Sequence, residues 1–193
     1  MDGRVDSTRF SHDRYVQAAT SLAEARDVEK MHFIIAQTMM KYPDLDDRSL
    51  YTRARHICQA AGLIKQRISD RKRFRVLLSQ AARNANDSGA RPTTLLYYET
   101  CLKLLQPDPW KEDDPDVYYE ETLEIYTQAA EIYWHQGQYD ATLSLLGSLF
   151  AHARTAADKA PAWIIQSRVH IQRCEGPAAF NAYVVPTPYL CHC

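Results

Sequence analysis

The stretch AEIYWHQGQYD, residues 130–140, contains a helix end, a turn and a helix start. Gly137 has no Cβ and so permits the tight turn. Before the turn, apolar residues recur at the three-to-four-residue spacing of one helix face, namely Tyr119, Leu123, Tyr126, Ala130 and Tyr133. After it, Gln138-Tyr139-Asp140 start a partner helix with apolar residues at Leu145, Leu146, Leu149 and Phe150. The pattern predicts a helix over about 117–136 that turns at Gly137 into a second helix.

The same spacing extends upstream of this pair. One face is formed by Leu50, Ala54, Ile57, Ala61, Ile64 and Ile68. These positions predict one continuous helix over residues 48–68. Asp46 and Asp47 precede it and are candidate N-terminal caps.

Two further helices follow in the middle of the chain. Residues 70–87 repeat the helical spacing, and Ser88-Gly89 offers a C-cap. A helix from about residue 92 has Pro92 in its first turn, where proline is tolerated. Pro107 and Pro109 follow it and end it.

The two ends of the chain carry shorter helical patterns. Asp158 opens a predicted helix over about 158–173, and Phe10–Leu22 and Met31–Met40 predict two short helices near the N-terminus. The one strand-like piece, Tyr183-Val184-Val185, is short. The sequence therefore predicts an all-α protein.

Helices that come in pairs joined by tight turns are typical of a helical solenoid, in which each hairpin buries its face against the next. Residues 130–140 resemble the centre of a tetratricopeptide repeat, which has a small residue, an aromatic, and then Gly and Tyr at the turn. The resemblance implies that Tyr139 wedges between the two helices. Thr142 and Leu149 stand where the repeat usually has alanine, so looser packing is expected there. The predicted architecture is a tetratricopeptide-like helical hairpin solenoid.

Composition excludes several classes of protein. With 46% apolar and 24% charged residues, the chain has an ordinary globular mixture. No apolar run approaches the roughly 18–20 residues that span a bilayer, and the first ten residues have no signal-peptide core. Five cysteines without an export signal favour reduced thiols and a cytoplasmic location. The net charge of −1 gives no overall attraction to nucleic acid or membrane.

A more specific similarity lies in a series of segments in a fixed order. They are FSHDRYVQAA at 10–19, AARNA at 81–85, SGAR at 88–91, DVYYEETL at 116–123 and FAHARTAADKA at 150–160. Together they resemble a class of very large sensor kinases of fungi and bacteria. In that class a serine/threonine-kinase-like domain is followed by an AAA-type ATPase module and a helical-repeat region. A GAF domain, a histidine kinase and, in fungi, a receiver come after it.

The resemblance implies a division of the chain into three parts. Residues 1–42 correspond to the end of the ATPase module, residues 43–182 to the tetratricopeptide-like repeats, and residues 183–193 to an irregular tail. We interpret the chain as a piece of a fungal hybrid kinase. It is expected to act as a non-catalytic scaffold that couples the NTPase module to the downstream sensor and kinase domains in phosphorelay signalling. The alternative is a free-standing adaptor that binds a protein or peptide partner.

Catalytic motifs are missing from the sequence. There is no GxxxxGK[ST] phosphate loop and no phosphoacceptor-histidine helix, so the ATPase and kinase activities of the resembled class do not transfer to this chain. His12-Asp13 provides only half of a metal-dependent phosphohydrolase site, and Asp13 is more simply placed in the first turn of a helix. We expect no enzyme activity and assign no catalytic, cofactor or metal residue.

The cysteines allow two interpretations. Cys191-His192-Cys193 offers three soft-metal ligands on consecutive residues at the chain end, where a frayed tail is the simpler expectation. Cys58, Cys101 and Cys174 lie within predicted helices. Cys58 and Cys101 are most simply small core residues.

Charge is unevenly distributed along the chain. Residues 53–91 carry ten Lys or Arg against two Asp, a net of +8, whereas residues 106–140 carry ten acids against one Lys, a net of −9. The basic stretch could be a nucleic-acid surface, the two stretches could pair with each other or with a neighbouring domain, or both could be solvated faces.

A tyrosine-rich ridge also has two interpretations. Its members are Tyr118, Tyr119, Tyr126, Tyr133 and Tyr139. They could line a peptide groove, or they could pack between helices, because most of them fall on the core stripe.

Overall fold

The computed structural model describes residues 25–41 and 48–175. This part of the chain contains eight α-helices and no strand, which confirms the all-α prediction. The helices are α1 (Ala25–Lys41), α2 (Arg48–Gln59), α3 (Ala61–Arg67), α4 (Lys72–Asp87), α5 (Arg91–Leu104), α6 (Tyr119–His135), α7 (Tyr139–His152) and α8 (Ala156–Gln172).

Two helix pairs make the most extensive contacts, α4 with α5 and α6 with α7. Both pairs are joined by a short turn around a glycine in the left-handed region, Gly89 with φ 74° and Gly137 with φ 73°. This conformation disfavours residues that have a Cβ. The predicted turns at both glycines are therefore confirmed.

The predicted continuous helix over 48–68 is wrong. The structure ends α2 at Gln59 and begins α3 at Ala61, with Ala60 between them. The side chain that acts at the new helix start comes from another helix, because Glu29 Oε1 of α1 accepts the Leu63 N–H at 3.1 Å. Helix starts have unpaired N–H groups, and this carboxylate satisfies one of them.

Gly62 makes room for this contact. A Cβ at position 62 would lie 2.6 Å from Glu29 Oε1, well inside van der Waals contact. The glycine therefore leaves room for the Glu29 carboxylate beside the start of α3. Because the apolar stripe continues across the break, periodicity could not detect it.

The core forms two clusters. The larger draws on α1 to α6, and the smaller is made by α6, α7 and α8 around Ala130, Leu149 and Ile165. Tyr126 and Leu145 are half-buried and pack against both clusters. Contacts thus run mainly between elements that are near one another along the chain.

The ends of the described part differ in detail from the predictions. Helix α1 begins at Ala25 rather than Met31. Helix α8 begins at Ala156, because Thr155 is the N-cap and Asp158 completes a capping box with it. Cys174, predicted within the last helix, instead lies in the turn that follows α8, with φ 60°. The expectations for Phe10–Leu22, Asp46, Asp47 and Tyr183–Val185 lie outside the described residues.

Candidate functional site: a buried ion network beside a charged groove

Arg75 on α4 is a fully buried cation, with 0% of its surface exposed. Its Nη1 donates to both carboxylate oxygens of Asp116, at 3.0 and 2.9 Å. Its Nη2 and Nε donate to the two carboxylate oxygens of Glu121, at 2.8 and 3.2 Å. Two carboxylates therefore surround one guanidinium, as the burial of a charge requires.

Asp116 receives hydrogen bonds from a second arginine as well. Arg71 donates to it from both its backbone N–H and its Nε, each at 2.9 Å. Asp116 lies at the end of the 105–118 loop, and Glu121 lies in the first turn of α6. The network therefore joins the start of α4, the end of this loop and the start of α6.

These contacts favour the charged forms of Asp116 and Arg75. Burial opposes ionisation of Asp116, but hydrogen bonds from Arg75 and Arg71 outweigh it, so the pKa of this carboxyl lies below its usual range. Burial likewise opposes the charge of Arg75, but Glu121 and Asp116 outweigh it and raise the pKa of the guanidinium. The network is therefore ionic at neutral pH.

The 105–118 loop is also anchored by Trp110. Its indole Nε1 donates to Ser148 Oγ at 3.1 Å, and its ring stacks on His152 with centroids 5.1 Å apart and planes 3° from parallel. On the α6 side, the Thr122 hydroxyl donates to the carbonyl of Pro109 at 3.1 Å. The loop thus connects α6 with α7.

Tyr119 connects α6 to the start of α8. Its hydroxyl donates to Asp158 Oδ2 at 2.7 Å and accepts the Arg154 N–H at 2.9 Å. The Arg154 guanidinium lies over the Tyr119 ring, 3.9 Å from its centroid. The same tyrosine therefore contacts both the capping box of α8 and the segment before it.

A groove of about 630 Å³ lies between α4 and α6, next to the ion network. Its apolar surface comes from Val76, Val117, Tyr118 and Tyr119, and Val76 is 51% exposed. Charged residues of both signs surround it, namely Lys72, Arg83, Arg154, Glu112, Glu120, Glu121 and Glu124. The groove is therefore lined by apolar side chains and by charged side chains of both signs.

The members of the tyrosine-rich ridge lie in different surroundings. Tyr118 and Tyr119 line the groove. Tyr126 and Tyr133 pack against the core. Tyr139 is half-buried at the start of α7, where it lines a shallow depression with Arg173 rather than packing with either core cluster.

The structure brings the basic and acidic stretches together. Besides the Arg71 and Arg75 contacts with Asp116 and Glu121, Arg83 of α4 pairs with Glu124 of α6. Pairing within the chain, one of the three interpretations of this charge pattern, is thus confirmed at these residues. Sequence alone did not reveal that part of the pairing is buried.

Of the two cysteines expected in the core, Cys101 lies there and Cys58 is partly buried against it. Cys101 is 0% exposed, and burial raises the pKa of its thiol to about 12. Burial also raises the pKa of Cys58, which is half-buried and accepts a hydrogen bond from the Thr100 hydroxyl at 3.3 Å. Thiols with raised pKa values are poor nucleophiles.

A histidine pair that sequence reasoning missed lies between α1 and α2. The Nδ1 atoms of His32 and His56 are 2.7 Å apart, so one ring must donate and the other accept. Burial, followed by the charge of Arg55, lowers the pKa of His32. Burial, His32 and Arg55, in that order, lower the pKa of His56. Both residues lie in helical stretches of mixed composition, which gave no signal that they meet.

Within residues 25–41 and 48–175, no three His, Cys, Asp or Glu side chains are grouped so that they could hold a metal ion. His12-Asp13 and Cys191-His192-Cys193 lie outside these residues. None of the helices in the same ranges is long and apolar enough to cross a membrane.

The fold and site define a helical protein whose elements are joined by a buried ion network. The chain is 26% identical over 176 residues to the peroxide stress-activated histidine kinase mak3 of Schizosaccharomyces pombe. The match covers 88% of this chain, which spans about 7% of the length of that kinase. No family model matches the chain. No solved structure matches it. This similarity relates the helical chain to a fungal histidine kinase.

Proposed function

We propose that the chain is a non-catalytic scaffold segment of a multidomain sensor histidine kinase, in a tetratricopeptide-like arrangement of helix pairs. It couples an NTPase module to the downstream sensor and kinase domains. The observation that carries the proposal is the similarity to mak3 along 88% of this chain. The segment resembles only a small share of a large kinase, and its own sequence has no phosphate loop or phosphoacceptor helix.

The ion network supports a mechanical role. Arg75 of α4 pairs with Asp116 of the 105–118 loop and with Glu121 of α6, and Tyr119 connects the same region to α8. Elements joined in this way move together, so a displacement at one end of the array is transmitted to the other. Such a role needs stable packing and no reacting group.

A chimera tests the scaffold role. The matched segment of mak3 is replaced by this chain, either unchanged or with Asp116→Asn, and peroxide-induced phosphorylation of the kinase is measured. The unchanged chain should preserve the response, and Asp116→Asn should weaken it at equal protein level. Glu124→Gln, which alters an exposed pair, is the matched control and should behave like the unchanged chain. Equal responses from both variants would contradict the coupling role.

A direct measurement tests the absence of catalysis. The purified chain should neither hydrolyse ATP nor incorporate phosphate from labelled ATP above the level of a heat-denatured sample. Activity that co-purifies with the folded chain through successive columns would overturn this part of the proposal.

The groove between α4 and α6 favours a second candidate, an adaptor that binds a peptide. Its mixture of apolar and charged lining residues is suited to an extended segment with mixed side chains. Peptides selected from a display library on the purified chain should lose binding with Val76→Glu. Leu96→Glu is a matched control, because Leu96 is 49% exposed and lies outside the groove. Selected peptides that respond equally to both changes would exclude the groove.

A further inference from the structure

Helix α1 buries few side chains against the rest of the described fold. Its main contacts are with α2 and α3. Among residues 27–41, only Phe33 and Ala36 are buried, whereas α4 buries eight side chains. Met31 and Ile34 of α1 are 48% and 63% exposed. An element that buries little apolar surface opens at a lower free energy than the rest of a fold, so the polar contacts of α1 matter more for its docking.

Hydrogen bonds at Glu29 and His32 join α1 to its neighbours. Glu29 Oε1 accepts the Leu63 N–H of α3 at 3.1 Å. The Nδ1 of His32 lies 2.7 Å from the Nδ1 of His56 on α2, and the two ring centroids are 4.8 Å apart. The first contact involves a carboxylate and the second involves two rings that titrate near neutral pH.

The contact between His32 and His56 has room for one hydrogen only. At 2.7 Å one Nδ1 donates and the other accepts. This arrangement suits two neutral rings, or one charged ring that donates to a neutral one. When both rings are charged, both Nδ1 atoms carry a hydrogen, and the two positive rings repel each other. Charging of both rings therefore breaks the contact.

The neighbouring helices place no negative charge against this pair among the described residues. Arg55 of α2 acts on both rings, and its positive charge opposes their protonation. Arg67 of α3 is a second cation, which lies over the ring of Phe33, the residue after His32. Tyr97 of α5, on which Arg55 also acts, is neutral because burial raises its pKa. A doubly charged histidine pair therefore gains no stabilisation from these groups.

The carboxylates of α1 itself are engaged in other contacts. Asp27 pairs with Lys30 at 2.9 Å on the exposed side of the helix, and Glu29 accepts the Leu63 N–H. Both histidines have lowered pKa values in the docked arrangement, first through burial. The rings therefore bind protons more readily when α1 is away from α2 than when it is docked, and acid favours the separated form.

We propose that α1 is an acid-released latch, which docks on α2 and α3 while His32 and His56 share a single Nδ1 hydrogen and separates from them when both rings are charged. Release takes up as many as two protons, so the released population rises by up to about 100-fold for each unit that the pH falls. The pKa of Asp116 lies below 3.8, so the ion network of α4 and α6 stays ionic in the range where histidine titrates. The inference is independent of the proposed function.

Hydrogen exchange on the full chain tests the latch. Between about pH 7.5 and about pH 5, the amides of α1 should lose at least about tenfold in protection, after correction for the intrinsic exchange rate. Protection in α4 and α6 should stay nearly constant over the same range. Equal losses in all three helices, or no loss in α1, would overturn the proposal.

Variants of the two contacts separate the histidines from the carboxylate. His32→Gln with His56→Gln should remove the pH dependence of α1, because no ring remains to be charged. His32→Gln alone leaves one titrating ring, so the released population should rise by no more than about tenfold per pH unit. Glu29→Gln is the matched control, because it keeps an accepting oxygen for Leu63, and it should retain the full pH dependence. A pH dependence lost in Glu29→Gln but kept in the double histidine variant would contradict the latch.

Thiol labelling gives a second measurement that leaves both histidines in place. Ala36 is 1% exposed, whereas Thr38 of the same helix is exposed. The labelling rate of Ala36→Cys, divided by that of Thr38→Cys at the same pH, should rise at least about tenfold between about pH 7.5 and about pH 5. The ratio removes the pH dependence of the reagent itself, and mass spectrometry of the labelled peptides gives both rates. A constant ratio would show that α1 stays docked and would refute the proposal.

Discussion

Arg75 Nη1 donates to both carboxylate oxygens of Asp116, at 3.0 and 2.9 Å, although the two residues are 41 positions apart in sequence. Asp116 is 1% exposed and Arg75 is 0% exposed. A buried pair of this kind contributes little compared with apolar residues of the same shape, but removing one partner leaves an uncompensated charge. Because Arg75 is buried, it needs Asp116 as a partner. The folded chain therefore requires the end of the 105–118 loop to lie against α4.

Asp116→Asn should lower the free energy of unfolding by about 3–5 kcal/mol, because it leaves two arginines with one fewer buried countercharge. Urea denaturation followed by circular dichroism measures the loss. Glu124→Gln removes the partner of Arg83 in an exposed pair and should cost less than about 1 kcal/mol. If the two variants lost similar amounts of unfolding free energy, burial would not explain the effect of removing Asp116 from its pair with Arg75.

Stability should fall on mild acidification because of His32 and His56. Their pKa values are lowered in the folded chain from 6.5, so below about pH 6.5 the unfolded chain binds more protons. The contribution of the two neutral imidazole rings to stability is fully present above about pH 6.5. It is lost as the pH falls through the lowered pKa values of His32 and His56. Asp116 affects stability only at more acidic pH, because its pKa is lowered from 3.8.

The double variant His32→Gln with His56→Gln tests this dependence. Its melting temperature should change less than that of the unchanged chain between about pH 7.5 and about pH 5, where histidine titrates. An unchanged slope in the double variant would assign the acid sensitivity to other groups.

Replacing a glycine in the left-handed conformation by alanine should lower the stability of the fold, because that backbone conformation disfavours a Cβ. Gly137→Ala should cost about 1–2 kcal/mol, since a Cβ there meets nothing within 4 Å and only the conformation is disfavoured. Gly147 lies inside α7 with equally open space, so Gly147→Ala should instead stabilise by about 0.5–1 kcal/mol. Thermal melting of the two variants should show shifts of opposite sign, and shifts of the same sign would refute the argument.

Tyr98→Phe should be neutral or should stabilise the fold by up to about 1 kcal/mol. The Tyr98 hydroxyl is buried and has no hydrogen-bond partner in the described part of the chain, and burial raises its pKa to about 12. Tyr133→Phe is the comparison, because the Tyr133 hydroxyl donates to Glu99 at 3.0 Å. It should cost about 0.5–1.5 kcal/mol in urea denaturation. A larger cost for Tyr98→Phe would show that this hydroxyl has a partner.

The sequence by itself determined the class of fold and most of the helix boundaries. Apolar spacing of three to four residues is a local property, and it predicted the α4–α5 and α6–α7 pairs. The turns at Gly89 and Gly137 were predictable for the same reason, since a left-handed residue is a local requirement. Charge composition indicated that the two stretches could pair, but it did not identify the pairs.

Only the tertiary structure decided where local patterns are overridden. At the break at Ala60, the helix start that follows has its Leu63 N–H bonded by Glu29, a side chain more than thirty residues away. The burial of Arg75 depends on Asp116 and Glu121 arriving from the far side of a loop. The His32–His56 contact depends on how α1 packs on α2. In each case the deciding interaction joins residues distant in sequence, and hydrophobic periodicity carries no information about such contacts.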